Sequence, residues 1–349
     1  VSVLVFAALF WAAGRFMTKA GDPHVFSVPS EEQKQAAQAY LDKNLTPLPD
    51  EWEWGTFEPD LGITLETGFL TVENAKGTVV VVPGYTAPLE LYSIGFKRFQ
   101  DAGFNVAAIS YRGQGRSTRE LANPEKGHVV DYALLADDLE RFVASVQSRF
   151  GGKVFVFGNS KGGHIAMRMA GDFQPDVQAY ALMVPMIKID TGAFPYGFAK
   201  IAGWFWSLTG LGDRFSPGGD AWIAEAMLLN EPTACSANPD QANLLDAMYA
   251  LNEELRVMSP TNQWVRATTQ STDILLDPAY QANIDRPVYM ATAGVDTLVS
   301  SPVAEQMCAA LNQCKARHFE QSRHCINRET DEVRNAIYDD AIALFESHN

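Results

Sequence analysis

Cysteine and basic residues are scarce, and no apolar run reaches membrane-spanning length. Four cysteines in 349 residues are too few for the bridged framework of a small secreted scaffold. Their positions (Cys235, Cys308, Cys314 and Cys325) also lack the CxxC pairing of zinc sites, so no metal is expected. Lys and Arg number 27 against 42 Asp and Glu, a formal net charge of -15. Such a surface is repelled by phosphate backbones, which excludes nucleic acid as a partner. Internal repeats and low-complexity tracts are missing too, so the chain is neither disordered, collagenous nor coiled-coil. With 47% hydrophobic and 20% charged residues, it can bury the core of one large or two modest domains.

Cys308 and Cys314 fall between the end of an expected helix and the start of an expected strand. They are either bridged, as suits an oxidising compartment, or two reduced buried thiols. The N-terminal VSVLVFAALFWAA is apolar but too short for a span of roughly 20 residues, and no basic n-region precedes it. The chain opens on Val1 without an initiator Met. Residues 1–29 therefore read as the remnant of a signal or anchor, or as a loose hydrophobic arm. The corresponding locations are membrane-associated or exported, with cytoplasmic as the alternative, and any membrane contact is peripheral or anchored.

Ser30 followed by EEQKQAAQAYLDKNL reads as an N-cap and a short helix. Residues 52–57 and 63–72 alternate like antiparallel strands. Beyond them come short, continuous apolar runs at 78–82, 105–109, 154–157, 179–184 and 288–291, as expected of strands covered on both faces. Amphipathic stretches at 89–102 and 134–149 lie between them. The alternation predicts an α/β fold with a mostly parallel sheet and helices on both faces. It breaks between about Pro185 and Asp285, where aromatic, helix-like stretches replace strands. The expected organisation is a core of 30–184 and 286–349 with a helical cap, 185–285, over the carboxyl ends of the strands.

Directly after the VFVF strand comes Gly158-Asn159-Ser160-Lys161-Gly162-Gly163, then a helical stretch. This is G-x-S-x-G in the strand-to-helix context that exposes a serine hydroxyl on a sharp turn. Such a serine needs an imidazole to remove its proton and a carboxylate to orient that imidazole. Of six histidines, His324 alone sits in a loop just after the last strand, and Asp296 follows the preceding strand in Gly294-Val295-Asp296. The order Ser160, Asp296, His324 fits the hydrolase arrangement. The oxyanion donors are expected to be the backbone N–H of Lys161 and that of Tyr85, in the loop after TVVVV. The Tyr85 side chain either lines the acyl site or packs. That of Lys161 either brings charge to the acyl site, or points outward or forms a local salt bridge.

These motifs together resemble the α/β-hydrolases, and within them the lysophospholipase and monoacylglycerol lipase group. The resemblance runs from about Ile63 to the C-terminus and rests on PGYTAP, SYRGQGRS, GNSKGG, AGVDTLV and SRHCINRETDEVR. It implies a helical cap and a catalytic set of Ser160, Asp296 and His324 without a cofactor. The chain departs from the group at Asn159 and Lys161, where the group usually carries His and a hydrophobic residue or Gln. The expected function is cleavage of lipid-like carboxylic esters. The alternatives are a short-chain carboxylesterase or aminopeptidase of the same fold, acyl transfer, and a non-catalytic binding scaffold. Phe194, Tyr196, Phe198, Trp204, Phe205, Trp206, Phe215 and Trp222 form either the cap's own core or an acyl-binding surface, and the two are compatible. The sequence does not set the oligomeric state.

Overall fold

The computed structural model describes the backbone of residues 2–349 and the side chains from residue 4. Val1 of the expected leader lies outside the described residues. Eight strands form one sheet: β1 (Glu53–Asp60), β2 (Ile63–Leu70), β3 (Thr78–Val82), β4 (Asn105–Ile109), β5 (Val154–Asn159), β6 (Val177–Met183), β7 (Val288–Ala293) and β8 (Cys314–Phe319). The order across the sheet is β1-β2-β4-β3-β5-β6-β7-β8. β1 and β2 pair antiparallel, β2 joins β4 antiparallel, and every later pairing is parallel.

β3, β4, β5 and β7 are buried at every position. Their apolar, largely unalternating sequences follow from this, because helices cover both faces. α1 (Ser2–Met17) and α2 (Glu31–Asn44) precede the first strand, and α3 (Ser93–Asp101), α4 (Tyr132–Phe150) and α5 (Lys161–Phe173) run between later ones. The long β6–β7 connection holds α6 (Tyr196–Trp206), α7 (Pro239–Ala242), α8 (Leu244–Leu251), α9 (Asn262–Leu275) and α10 (Pro278–Gln281). α11 (Ser301–Ala310) and α12 (Asp331–Ser347) complete the set. One core face gathers Phe96, Phe99, Phe155, Phe157, Tyr338 and Phe345, with α3 and α12 against the sheet. The other gathers Val80, Phe142, Val156, Ile165, Trp264 and Leu275. Trp264 and Leu275 belong to α9, so this helix packs with the core although it falls inside the β6–β7 connection.

Local sequence explains the helix starts. Ser30 and Gln33 form a reciprocal capping box at α2, and the Asp131 carboxylate accepts from the Ala133 N–H at α4. In place of a loose arm, the N-terminal segment forms α1 and lies against α6. The Trp206 indole donates to the Phe10 carbonyl (3.0 Å), and the Phe10 ring packs on those of Phe198, Phe205 and Trp206. Gly14 permits this approach, because a Cβ there would fall 2.3 Å from the Trp206 ring. No helix among the described residues is long and apolar enough to cross a membrane.

Candidate active site

β5 delivers its chain into α5 through Ser160, whose backbone is forced to φ 48°, ψ −112°. The strain is held from both sides. The Ser160 N–H donates to the Met183 carbonyl (2.8 Å), and the Ser160 carbonyl accepts from the N–H groups of Met186 (2.9 Å) and His164 (3.1 Å). A turn this tight also needs Gly162, where a Cβ would lie 2.2 Å from the Val82 carbonyl oxygen. The result is a serine hydroxyl standing on the carboxyl edge of the sheet, above the N-terminus of α5.

His324 arrives from the loop after β8, and Asp296 from the loop after β7. His324 Nε2 lies 2.9 Å from Ser160 Oγ, and His324 Nδ1 lies 2.7 Å from Asp296 Oδ2. The second carboxylate oxygen of Asp296 accepts from the N–H groups of Leu298 (2.8 Å) and Val299 (3.0 Å), which fixes its orientation. All three side chains are largely buried. An imidazole placed between hydroxyl and carboxylate can take a proton on Nε2 while its Nδ1–H stays bonded to the acid.

The Tyr85 loop rests against this turn, since a Cβ on Gly84 would lie 2.4 Å from Asn159 Oδ1 and 3.4 Å from Ser160 Cβ. The Tyr85 side chain packs: its hydroxyl donates to the Met258 carbonyl (2.7 Å). Lys161 follows neither expected course. Its ammonium is buried over the rings of Tyr111 (4.3 Å), Tyr85 (5.5 Å) and Tyr132 (5.8 Å), outside the cavity wall and in no salt bridge among the described residues. Loss of hydration pushes this amine down to about 7, with Glu120 opposing the shift.

The other histidines are occupied elsewhere. His164 is fully buried between the Met186 carbonyl (2.7 Å) and Ser271 Oγ (2.6 Å), and burial pushes it down to about 3. His318 faces Glu305, His128 faces Thr261, and His24 faces Glu125.

Several residues at the site have no linear signature. Gln114, in the SYRGQGRS turn, accepts the Thr86 N–H (2.9 Å) and donates to the Gly84 carbonyl (2.8 Å), while the Tyr92 hydroxyl accepts the Gly84 N–H (2.8 Å). Both residues clamp the Tyr85 loop. Cys308 and Cys314 are bridged, and a second disulfide joins Cys235 to Cys325, the neighbour of His324. A cavity of about 510 Å³ opens on Ser160 and His324, its wall drawn largely from Leu91, Met186, Phe198, Trp206, Trp264 and Leu298.

A strained serine at a β–α turn, with an acid and a histidine on later loops of a mostly parallel sheet, defines an α/β-hydrolase. The family profile described as "Serine aminopeptidase, S33" matches residues 73–331, and the chain belongs to that family. Lysophospholipase L2 of Escherichia coli K12 is 27% identical over 281 residues, 78% of this chain and 81% of that protein. A probable lysophospholipase L2 of Haemophilus influenzae is 22% identical over 68% of this chain and 74% of its own. In fold, the chain resembles a soluble variant of the Saccharomyces cerevisiae monoglyceride lipase, solved with a substrate analog (TM-score 0.66, 18% identity, 88% of this chain and 98% of that one). It also resembles a thermostable carboxyl esterase from Bacillus coagulans (TM-score 0.67, 18% identity, 86% and 99%). The expected fold class and the resemblance to the lysophospholipase and monoacylglycerol lipase group both hold.

Proposed function

We propose that the protein is a serine hydrolase that cleaves carboxylic esters of lipid-like substrates, of the lysophospholipid or monoacylglycerol type. The observation that carries this reading is the largely apolar cavity of about 510 Å³ leading to the Ser160–His324 contact. Its size suits an acyl chain. Among the residues lining it Asp190 is the sole carboxylate, and that group already accepts the Gly192 N–H (2.7 Å).

In the proposed reaction Ser160 Oγ attacks the ester carbonyl as His324 Nε2 takes its proton, and Asp296 holds the resulting imidazolium. The backbone N–H groups of Tyr85 and Lys161 receive the oxyanion; neither has an acceptor within the protein among the described residues. The tetrahedral adduct collapses to an acyl-serine as His324 returns the proton to the leaving alkoxide. Water, deprotonated by His324, then attacks the acyl carbonyl and releases the acid, and Ser160 recovers its proton.

Segment 185–285 acts as the cap, with α9 built into the core beneath it. α6 lines the cavity through Phe198, Ala202 and Trp206, yet leaves Ile201 and Trp204 half or more exposed. Beside it α1 leaves Leu4, Val5, Phe6 and Leu9 equally bare. These bare apolar side chains, on two packed helices of which one lines the cavity, serve as a docking surface for a lipid layer, which supplies substrate directly. The two disulfides suit an oxidising, exported setting.

Hydrolysis of p-nitrophenyl esters from C2 to C16 tests the reading. Activity that rises with acyl length and vanishes in Ser160→Ala is expected. Activity confined to short chains would make the protein a short-chain carboxylesterase. Cleavage of aminoacyl anilides alone would make it an aminopeptidase.

A further inference from the structure

Arg328 ends the short helical turn Ile326–Arg328 that follows His324, and it lines the same cavity as Ser160 and His324. It is 7% exposed. Its guanidinium has no strong acceptor. Nη2 points at the sulfurs of the Cys235–Cys325 bridge, lying 2.8 Å from Cys325 Sγ, and Nη1 is buried with no partner at all. Disulfide sulfur is a weak acceptor, so the positive charge is left almost uncompensated.

The carboxylates that this charge feels are Asp246 and Glu329, and neither forms an ion pair with it among the described residues. Asp246 accepts instead from the Trp222 indole (3.3 Å), and Glu329 accepts the N–H groups of Arg323 (3.0 Å) and Ala237 (3.2 Å). Tyr40 and Tyr92 are the other titratable groups it faces, and burial raises both hydroxyls, so they stay neutral. A buried, unpaired arginine is costly to a fold and is retained where something else completes it.

We propose that Arg328 is the anion-recognition residue of the substrate cavity and binds the phosphodiester of a lysophospholipid head group while the ester lies at Ser160. The unpartnered Nη1–H is the donor left for a phosphate oxygen, and the enclosing apolar wall strengthens a charge-assisted bond. The proposal rests on the lipid-ester reading and sharpens it: of the two lipid classes, the one with an anionic phosphodiester is preferred over neutral monoacylglycerol.

The test uses the intact, disulfide-bonded protein and Arg328→Met, which keeps the apolar bulk and removes the charge. kcat/KM is measured on 1-lauroyl-lysophosphatidylcholine and on monolauroylglycerol. Inhibition of p-nitrophenyl butyrate hydrolysis by dodecylphosphocholine, dodecanoate and dodecyl maltoside is measured in parallel. A fall of about 10- to 100-fold in the ratio of kcat/KM on the lysophospholipid to that on monolauroylglycerol, carried by KM on the lysophospholipid, is expected for a lost charge-assisted bond. Dodecylphosphocholine should inhibit wild type more strongly than the maltoside does, and Arg328→Met should lose that difference.

Equal loss on both lipids, or none on either, overturns the proposal, because a purely structural arginine would affect both alike. Stronger inhibition by dodecanoate than by dodecylphosphocholine overturns it in favour of a carboxylate site. If Arg328→Met does not fold, the wild-type comparison decides: dodecylphosphocholine no better than the maltoside overturns it. Arg328-dependent inhibition by dodecylphosphocholine in a protein that cleaves neither lipid would leave the anion site standing and refute the lipid-ester reading instead.

Discussion

The two disulfides close loops of very different length, which gives them separable roles. Cys235–Cys325 spans 90 residues and Cys308–Cys314 spans 6. Chain-entropy arithmetic assigns about 4.6 kcal/mol of stabilisation to the first loop and about 2.2 kcal/mol to the second. The first also ties the β6–β7 connection to the residue beside His324, while the second joins α11 to the start of β8, away from the reacting groups. Cys235→Ala/Cys325→Ala should therefore lose about 2 kcal/mol more in urea unfolding than Cys308→Ala/Cys314→Ala. It should also lose about 10²-fold in kcat/KM on a long-chain ester, because a displacement of His324 by about 1 Å misaligns the proton transfer. The second pair should keep full activity when folded. Equal stability losses, or a fully active Cys235→Ala/Cys325→Ala variant, would refute the reasoning.

Three further outcomes follow from buried charge and exposed apolar surface. Burial pushes the Glu125 carboxyl up to about 7, so the folded state holds a proton that the unfolded chain has released between about pH 4.3 and 7. Stability from this group is lost as pH rises through that window. Glu125→Gln should thus raise the thermal midpoint at pH 8 and leave it nearly unchanged at pH 4.5; a pH-independent effect would contradict the assignment. Lys161 has the opposite sign: its amine, pushed down to about 7, is already neutral in the fold where the unfolded chain remains charged, up to about pH 10.4. Lys161→Met should be more stable than wild type at pH 7, by a margin that shrinks toward pH 10, and should keep esterase activity because the proposed oxyanion donor is its backbone. Denaturation series at both pH values decide this. Leu9→Asp with Trp204→Asp should reduce flotation with phosphatidylcholine vesicles while leaving turnover of soluble p-nitrophenyl butyrate intact; undiminished flotation would remove the lipid-docking role.

Much of this architecture was legible because its signals are local. TVVVV and NVAAI were recognisable as doubly covered strands from composition alone, and they appear at the expected residues. GNSKGG carried its own geometry, since only a tight β–α turn needs glycine both before and after the serine. His324 and Asp296 were found by chain order, and the fold brings them within hydrogen-bond distance of one another and His324 within reach of Ser160. What stayed hidden depends on contacts distant in sequence. Cys235 and Cys325 lie 90 residues apart, and nothing in either flank announces the pairing. Gln114 lies inside the SYRGQGRS motif, but its role comes from the Gly84–Ala87 loop packed against it. The Lys161 side chain turns into a cage of three tyrosines that sequence order scatters across 47 positions, from Tyr85 to Tyr132. The apolar N-terminus looked unattached because its partner, α6, lies some 190 residues downstream, and the Phe10–Trp206 contact alone spans 196.

Ser160 is proposed to form the acyl intermediate during turnover of a long-chain ester, and acid-quenched mass spectrometry tests this directly. Wild-type protein mixed with p-nitrophenyl palmitate and quenched within the first turnovers should carry a palmitoyl mass on the peptide containing Ser160. Ser160→Ala should carry none and should lose at least about 10⁴-fold in kcat. An adduct on another residue, or turnover that persists in Ser160→Ala, would contradict the account.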